Sequence, residues 1–157
     1  MNDKFEIKKI GVIRTPYQTK DECPIQGRIS PDGKGQVHVF MEYEEGLHTI
    51  ETFSHLMLFY IFDQTGEILL SRPTFLDDSL HGVFASRHPC RPNSIGISIV
   101  KLEKREKNLL KISGVDILDK TPLIDIKPYI PMFDCYNEAH NGWVENIKIR
   151  PKPPGRE

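Results

Sequence analysis

Apolar and polar residues alternate along much of this chain in short runs, and period-two runs predict strands. Phe5 and Ile7, then Ile10 and Val12, fall at that spacing before Thr15-Pro16-Tyr17, where Pro16 stops the first strand. Residues 18–34 are rich in Pro, Gly, Asp and charge and read as a long loop. Val37, Val39 and Met41 predict a second strand, and Leu47, Ile50 and Phe53, three apart, predict a short helix over 44–52. The run SHLMLFYIF, residues 54–62, is apolar and aromatic almost throughout, which predicts a strand buried on both faces at the centre of the core. Residues 63–80 have weak periodicity and read as irregular, and the apolar middle of 81–86 leads into RHPCRPN, whose two prolines forbid both helix and central strand. Residues 95–103 and 109–117 predict strands flanking the charged link KREKN, a hairpin with a basic tip, and 124–126 predicts a last strand before KPYIP.

Five to seven strands with one or two short helices make the chain mostly β, and their regular return predicts a small, closed or nearly closed β-barrel. A length of 157 residues fits one domain, expected over 1–150, with residues 151–157 (PKPPGRE) as a flexible Pro-rich tail. No period of 20 to 50 residues repeats, which excludes a solenoid or propeller.

The longest apolar run, residues 56–62, is far short of the roughly 20 residues that span a bilayer, so no membrane helix is expected. The opening MNDKFEIKKIG lacks an apolar signal core, and a cytoplasmic protein is expected. Cys23, Cys90 and Cys135 form no CxxC pair and read as reduced thiols. Net charge is -1, with 10 basic and 13 acidic residues over 1–100 against 11 and 9 over 101–157. Nucleic-acid binding cannot be inferred from so even a balance.

Neither GxGxxG nor GxxxxGK[ST] occurs, so a nucleotide-like cofactor would have to be held without those loops. His81, His88 and Cys90 match no zinc spacing, and no metal is expected; Cys90 with His88 or His55 lacks the surroundings of a nucleophile. The segment that stands out is ASRHPCRPNSIGIS, residues 85–98, where Arg87 and Arg91 beside prolines offer fixed forks of donors for a carboxylate or phosphate, or for neighbouring carbonyls. In DILDKTPLIDIKPYIP, residues 116–131, Asp119 and Thr121 before Pro122 form a turn, and Asp125, Lys127 and Tyr129 alternate on one face.

Four blocks, GVIRTPY (11–17), ETFSHLMLFYIF (51–62), GVFASRHPCRPNSIGIS (82–98) and GVDILDKTPLIDIKPYIP (114–131), resemble the TsaA-like (TrmO-type) family. These are β-barrel tRNA methyltransferases that use S-adenosylmethionine to methylate N6 of N6-threonylcarbamoyladenosine beside the anticodon. The resemblance implies a homodimer with the cofactor near the subunit interface and the tRNA anticodon loop as partner. It implies cofactor contacts at Thr15, Pro16, Tyr17, Ser54, His55, Arg87, Ile97, Leu118, Asp119, Lys120 and Thr121. Relative to the family's usual pattern, Met57 replaces a Trp, Asp63 a His, Ser94 a Pro and Lys120 a Gly. A glycine at 120 could take positive φ, so the turn is expected to survive with altered adenosine contacts. The extra C-terminal domain of longer bacterial members is expected to be missing.

Methyl transfer from a sulfonium to nitrogen needs donor and acceptor held together in a water-poor pocket, and a base for the departing proton. His55 and Asp125 are the candidate catalytic bases, against a core histidine and a salt bridge of Asp125 to Lys127. Arg91, Lys127 and Tyr129 are candidates for substrate binding, and Lys101, Lys104, Arg105 and Lys107 for phosphate contacts in a salt-sensitive complex. Two alternatives stand beside tRNA methylation: transfer to a small molecule by the same barrel, and a cofactor-binding regulatory module without transfer activity.

Overall fold

A computed structural model describes residues 3–153. Six antiparallel strands close into a barrel: β1 (Gly11–Arg14), β2 (Lys34–Val39), β3 (His55–Ile61), β6 (Ile95–Glu106), β7 (Leu109–Ser113) and β8 (Thr121–Pro128). Their order around the wall is β1-β2-β7-β6-β3-β8, and β8 returns to β1 through Gly11 opposite Leu123. Strands β4 (Ser71–Pro73) and β5 (Leu80–Gly82) form a separate ribbon outside the wall. Every second residue of a barrel strand points inward. Ile13, Val37, Leu56, Leu58, Val100, Leu110, Ile112 and Leu123, each at most 1% exposed, thereby fill the interior.

The expected barrel is present, with several corrections to its elements. Phe5 and Ile7 lie in no strand and are 91% and 55% exposed; the wall begins at Gly11, and Ile10 only leads into it by donating to Leu123 O at 2.9 Å. β2 ends at Val39, and Met41 opens a 3-10 turn instead of extending the strand. The helix expected over 44–52 is two 3-10 segments, Met41–Leu47 and Ile50–Thr52, broken where Thr49 takes φ 65. Its apolar spacing still brings Leu47, Ile50 and Phe53 onto the core.

β3 is buried on one face, not both: Leu56, Leu58 and Tyr60 point inward, while Met57, Phe59 and Ile61 lie half-buried on the outside. A hydrophobic run marks a buried strand but does not say which molecule covers its second face. The ribbon β4–β5 was not legible in residues 63–80, because three-residue strands leave too few positions for a period to show. β6 runs on through Glu106 into most of the link read as a hairpin tip, and the turn is only Lys107 (φ 55) and Asn108. β7 stops at Ser113, four residues short of the expected end, because Gly114 takes φ 74. β8 extends over Thr121–Pro128, with its prolines at the second and last positions. Beyond it lies α1 (Pro131–Asp134), a single turn.

Two irregularities shape the wall. β6 shifts register against β7 between Leu102 and Lys104, and β3 shifts against β8 between Phe59 and Tyr60. Such bulges bend a strand and raise its twist, as a small closed barrel requires.

Candidate functional site

The end of the barrel where β3 finishes and β6 begins opens into a cleft of about 1060 Å³. One wall is the Pro-rich turn of residues 86–94. Its shape is set locally: the Cys90 amide donates to His88 Nδ1 at 3.0 Å, Arg91 Nη1 donates to Ser86 O at 3.0 Å, and the Ser94 amide donates to Arg91 O at 3.1 Å. Ser94 takes φ 44, which a proline ring, fixed near −65°, could not. The departure at this position therefore accompanies a different backbone. Arg87 is exposed on the rim and donates to Gln26 Oε1 at 3.1 Å, and Arg91 lies 6.0 Å from the Phe84 ring.

The floor is polar. Ser98 Oγ donates to Asp116 Oδ1, the Gly27 amide donates to Asp116 Oδ2 at 3.0 Å, and the Tyr60 hydroxyl lies 3.0 Å from Ser98 Oγ. With Ser98 donating to Asp116, Tyr60 donates to Ser98. Burial pushes the Asp116 carboxyl above its ordinary range, against the lowering by Ser98, the Gly27 amide and Arg87. Burial and the Asp116 charge push the Cys23 thiol up to about 12, so it is protonated at neutral pH. Tyr60 is raised for the same two reasons.

This floor depends on two close approaches of backbone. A Cβ on Gly96 would meet the Tyr60 ring at 2.2 Å, and one on Gly27 would meet Gly114 O at 1.8 Å. Residues after the barrel return to cover the cleft. Trp143 Nε1 donates to Ala85 O at 2.8 Å and stacks on His81 at 3.7 Å, Arg150 Nε donates to Phe75 O at 2.9 Å, and Lys152 Nζ donates to the carbonyls of Lys20 and Cys23, each at 2.7 Å. Lys152 belongs to the tail expected over 151–157, so its described part is tied to the barrel; residues 154–157 lie outside the described residues.

Of the expected cofactor contacts, Arg87, Ile97, Leu118 and Thr121 line the cleft. Thr15, Pro16 and Asp119 line a second, shallower groove with Lys34 and Gln36. The structure stitches that first turn to the segment between β7 and β8: Thr15 Oγ1 donates to Ile117 O at 2.7 Å and the Asp119 amide donates to Tyr17 O at 2.8 Å. Tyr17 packs against the core, with its hydroxyl beside Gly33. Lys120 takes φ 67, so the turn does survive with a lysine where the family's glycine stands. Ser54 and His55 pair with each other at 2.9 Å at the start of β3, about 16 Å along an extended strand from Tyr60.

Asp125 is bridged to Lys127 at 3.0 Å on the outer face of β8, opposite Phe59, and Tyr129 donates its amide to His55 O at 3.0 Å. Arg91 lines the cleft, whereas Lys127 and Tyr129 do not. The hairpin cations are largely paired with acids: Lys101 with Glu103, Lys104 and Lys111 with Glu106, and Arg105 with Glu51. They stand toward the far end of β6 from the cleft. Asp63, another departure, sits on the cleft rim. Cys90 and His88 are buried in the turn, and among the described residues no group of three or more His, Cys, Asp or Glu is placed to hold a metal.

Asp119 supplies a pH test of the first turn. Burial raises its carboxyl, but the Thr15 amide at 3.0 Å, the Arg14 guanidinium at 2.8 Å and Gln18 together outweigh burial and hold it below the ordinary range. Its stabilisation is therefore complete above the unfolded value of about 3.9 and is lost as pH falls through the lower folded value. The urea midpoint of the native protein is expected to exceed that of Asp119→Asn at pH 7 and to approach it below about pH 4. An unchanged gap at pH 3 would remove Asp119 as the anchor.

The residues that sequence reasoning missed are those of the floor: Tyr60, Ser98, Asp116 and Cys23, with Trp143 above them. A signal was present for one of them. In GVDILD, Val115, Ile117 and Asp119 are buried alternately, so Asp116 and Leu118 share the opposite face, toward the cleft.

The cleft fits S-adenosylmethionine in size and charge. It lies near the upper end of ordinary ligand cavities, roughly 300–1,000 Å³. Arg87 could take the carboxylate, Asp63 the ammonium, and Phe62, Phe84 or Trp143 an adenine or sulfonium face.

Comparison with known proteins identifies the family. The chain is 46% identical over 138 residues to a probable S-adenosyl-L-methionine-binding protein of Pyrococcus abyssi, covering 88% of this chain and 75% of that one. It is 33% identical over 152 residues to the tRNA (adenine(37)-N6)-methyltransferase of Escherichia coli, covering 90% of this chain and 65% of that one. A crystal structure of TrmO superposes with a TM-score of 0.78 at 38% identity, covering 88% of this chain and 64% of that one. The chain thus spans just under two thirds of these last two proteins. The model of the tRNA-methyltransferase O N-terminal domain matches residues 12–135, from the first barrel strand to just past the last, and the chain belongs to that family.

Proposed function

We propose that this protein is an S-adenosylmethionine-dependent methyltransferase that methylates N6 of N6-threonylcarbamoyladenosine beside the anticodon of tRNA. The observation that carries the reading is the cleft: an Arg-bearing turn, aromatic walls and a half-buried carboxylate meet at one end of a family barrel. S-adenosylmethionine, when bound, supplies an electrophilic methyl group. The chain's own residues supply the rest: Arg87 binds the donor's carboxylate, Ile97, Leu118 and Thr121 shape its seat, and Arg91 meets the anticodon backbone. On this reading the protein works in the cytoplasm, where its tRNA substrate would be met.

The site is read as completed by a second copy. The outer face of β3 and β6 sets Met57 beside Ile99, Phe59 beside Ile97 and Ile61 beside Ile95, and these isoleucines are 48%, 40% and 37% exposed. Residues 131–142, with Met132 85% and Phe133 65% exposed, pass the barrel without burial. Contiguous apolar surface of this kind marks an interface. Ile97 lies in both the face and the cleft, and on this reading the cofactor sits beside the partner, whose Thr15, Pro16, Tyr17, Ser54, His55, Asp119 and Lys120 would contact it. His55 and Asp125, the bases expected from the sequence, and Lys127 and Tyr129, the expected substrate contacts, line no part of this subunit's cleft and could reach it only from a partner subunit. Residues 1–150 are read as one domain, with 151–157 as its tail.

The test is transfer of labelled methyl from S-adenosylmethionine to tRNA carrying the threonylcarbamoyl group, read by mass spectrometry of nucleosides, with sedimentation of native protein and Ile97→Asp. A methylated nucleoside and a dimer that the variant dissociates are expected; no transfer from folded, cofactor-binding protein rejects the reading. The paired cations of the β6–β7 hairpin favour, as a second reading, transfer to a small molecule, which would show as turnover without RNA.

A further inference from the structure

An acceptor nitrogen such as N6 of a substituted adenine carries a proton that must leave as the methyl arrives, and the cleft needs a group to take it. Asp125 is bridged to Lys127 on the outer wall, and His55 stands at the other end of β3. Asp63 lines the cleft but is exposed on its rim. Asp116 differs from all three. Ser98 and the Gly27 amide fill two of the roughly four acceptor sites of its carboxylate. The carboxylate lines the cleft, and Asp116 is half-buried where Asp63 is exposed.

We propose that Asp116 is the catalytic base of methyl transfer, with Ser98 and Tyr60 as the residues that position it. The proposal rests on the methyl-transfer reading above. The carboxylate takes the N–H proton, the nitrogen pair forms the new N–C bond, and the pair of the breaking C–S bond leaves with sulfur. Asp116 then returns its proton to solvent through the cleft mouth. The groups that bear on its titration are Tyr60 of β3, Tyr17 and Cys23 of the segment after β1, and Arg87 of the Pro-rich turn. Burial holds its carboxyl above the ordinary range, which makes it a stronger base than a surface aspartate. Ser98 pulls in the other direction by donating to the charged form.

The experiment pairs a titration with kinetics. Carbon-13 NMR of the free protein is expected to show one aspartate carboxyl, absent in Asp116→Asn, titrating above the others. In Ser98→Ala its midpoint is expected to move further up, and the acidic limb of the pH–rate profile to move with it. Asp116→Asn, which can still accept from Gly27, is expected to lower kcat by about 100-fold or more while binding S-adenosylmethionine within about threefold of native. A kcat within threefold of native, or a loss confined to cofactor affinity, overturns the assignment. If Asp116→Asn fails to fold, Ser98→Ala decides: an unmoved acidic limb overturns the proposal. If native protein binds the cofactor yet methylates no N–H acceptor, the functional reading falls, and the base with it; an active Asp116→Asn removes the base alone.

Discussion

Arg87→Ala is expected to weaken S-adenosylmethionine binding about 10- to 100-fold with little change in stability. A hydrogen bond to a charged group is worth about 1.5–3 kcal/mol, and the proposed bond joins a guanidinium to a carboxylate. The fold loses little, because Arg87 is exposed and its hydrogen bond to Gln26 at 3.1 Å links it only to a loop. Lysine at this position keeps the charge without the fork, so Arg87→Lys is expected to fall between the two. Arg91→Ala is the contrasting variant. Arg91 braces its own turn through Ser86 O and packs beside Phe84, so its loss loosens the cleft wall. Calorimetric titration measures all three, and native affinity in Arg87→Ala would show that the carboxylate is held elsewhere.

Gly96→Ala is the second large effect, and it acts on stability. The added methyl would sit 2.2 Å from Tyr60 Cε2, 2.5 Å from its Cζ and 2.9 Å from Phe62 Cζ. Neither ring yields easily. Tyr60 is 4% exposed and tied to Ser98, and Phe62 meets it edge-on at 5.3 Å. Overpacking of a close-packed core costs about 1–3 kcal/mol, and the displaced Tyr60 hydroxyl adds about 1 more. For a chain of this size that amounts to a fall of roughly 4–15 °C in Tm by circular dichroism. In Gly96→Ala with Tyr60→Ala the clash is absent, so the pair should be less destabilised than the sum of the single changes. Strict additivity would mean that the methyl is accommodated without moving the ring.

The barrel was legible because its strands are long enough to show a pattern: Val37 and Val39 point inward where alternation puts them, and β3 lies in the wall where its apolar run puts it, although that run did not tell its two faces apart. Where pattern failed, a local backbone event intervened, such as the positive φ of Thr49 that splits the expected helix or that of Gly114 that ends β7. Prolines misled at β8, since Pro122 and Pro128 sit at strand positions where a missing donor is tolerated. For the site, Arg87 and Arg91 could be picked out because arginines between prolines are conspicuous in a sequence. Tyr60, Ser98 and Asp116 could not be assembled in advance, since they come from β3, β6 and the segment after β7 and meet only when the wall curves. Each also looks ordinary in its own stretch of chain.

The closure of the wall has a consequence for how the chain acquires its structure. β8 lies between β1 and β3, and Gly11 pairs with Leu123, nearly the full barrel sequence away. During synthesis, β1 waits with one edge unmet until almost all of the domain has left the ribosome. Pairings of such separation must repay a large loop entropy, so the barrel belongs among the slower-folding topologies. The segment that carries Trp143, Arg150 and Lys152 follows later still and docks on carbonyls that the 18–34 loop and the ribbon region place. The cleft is therefore the last part of the molecule to be completed, and a nascent chain cannot bind there before its barrel has closed.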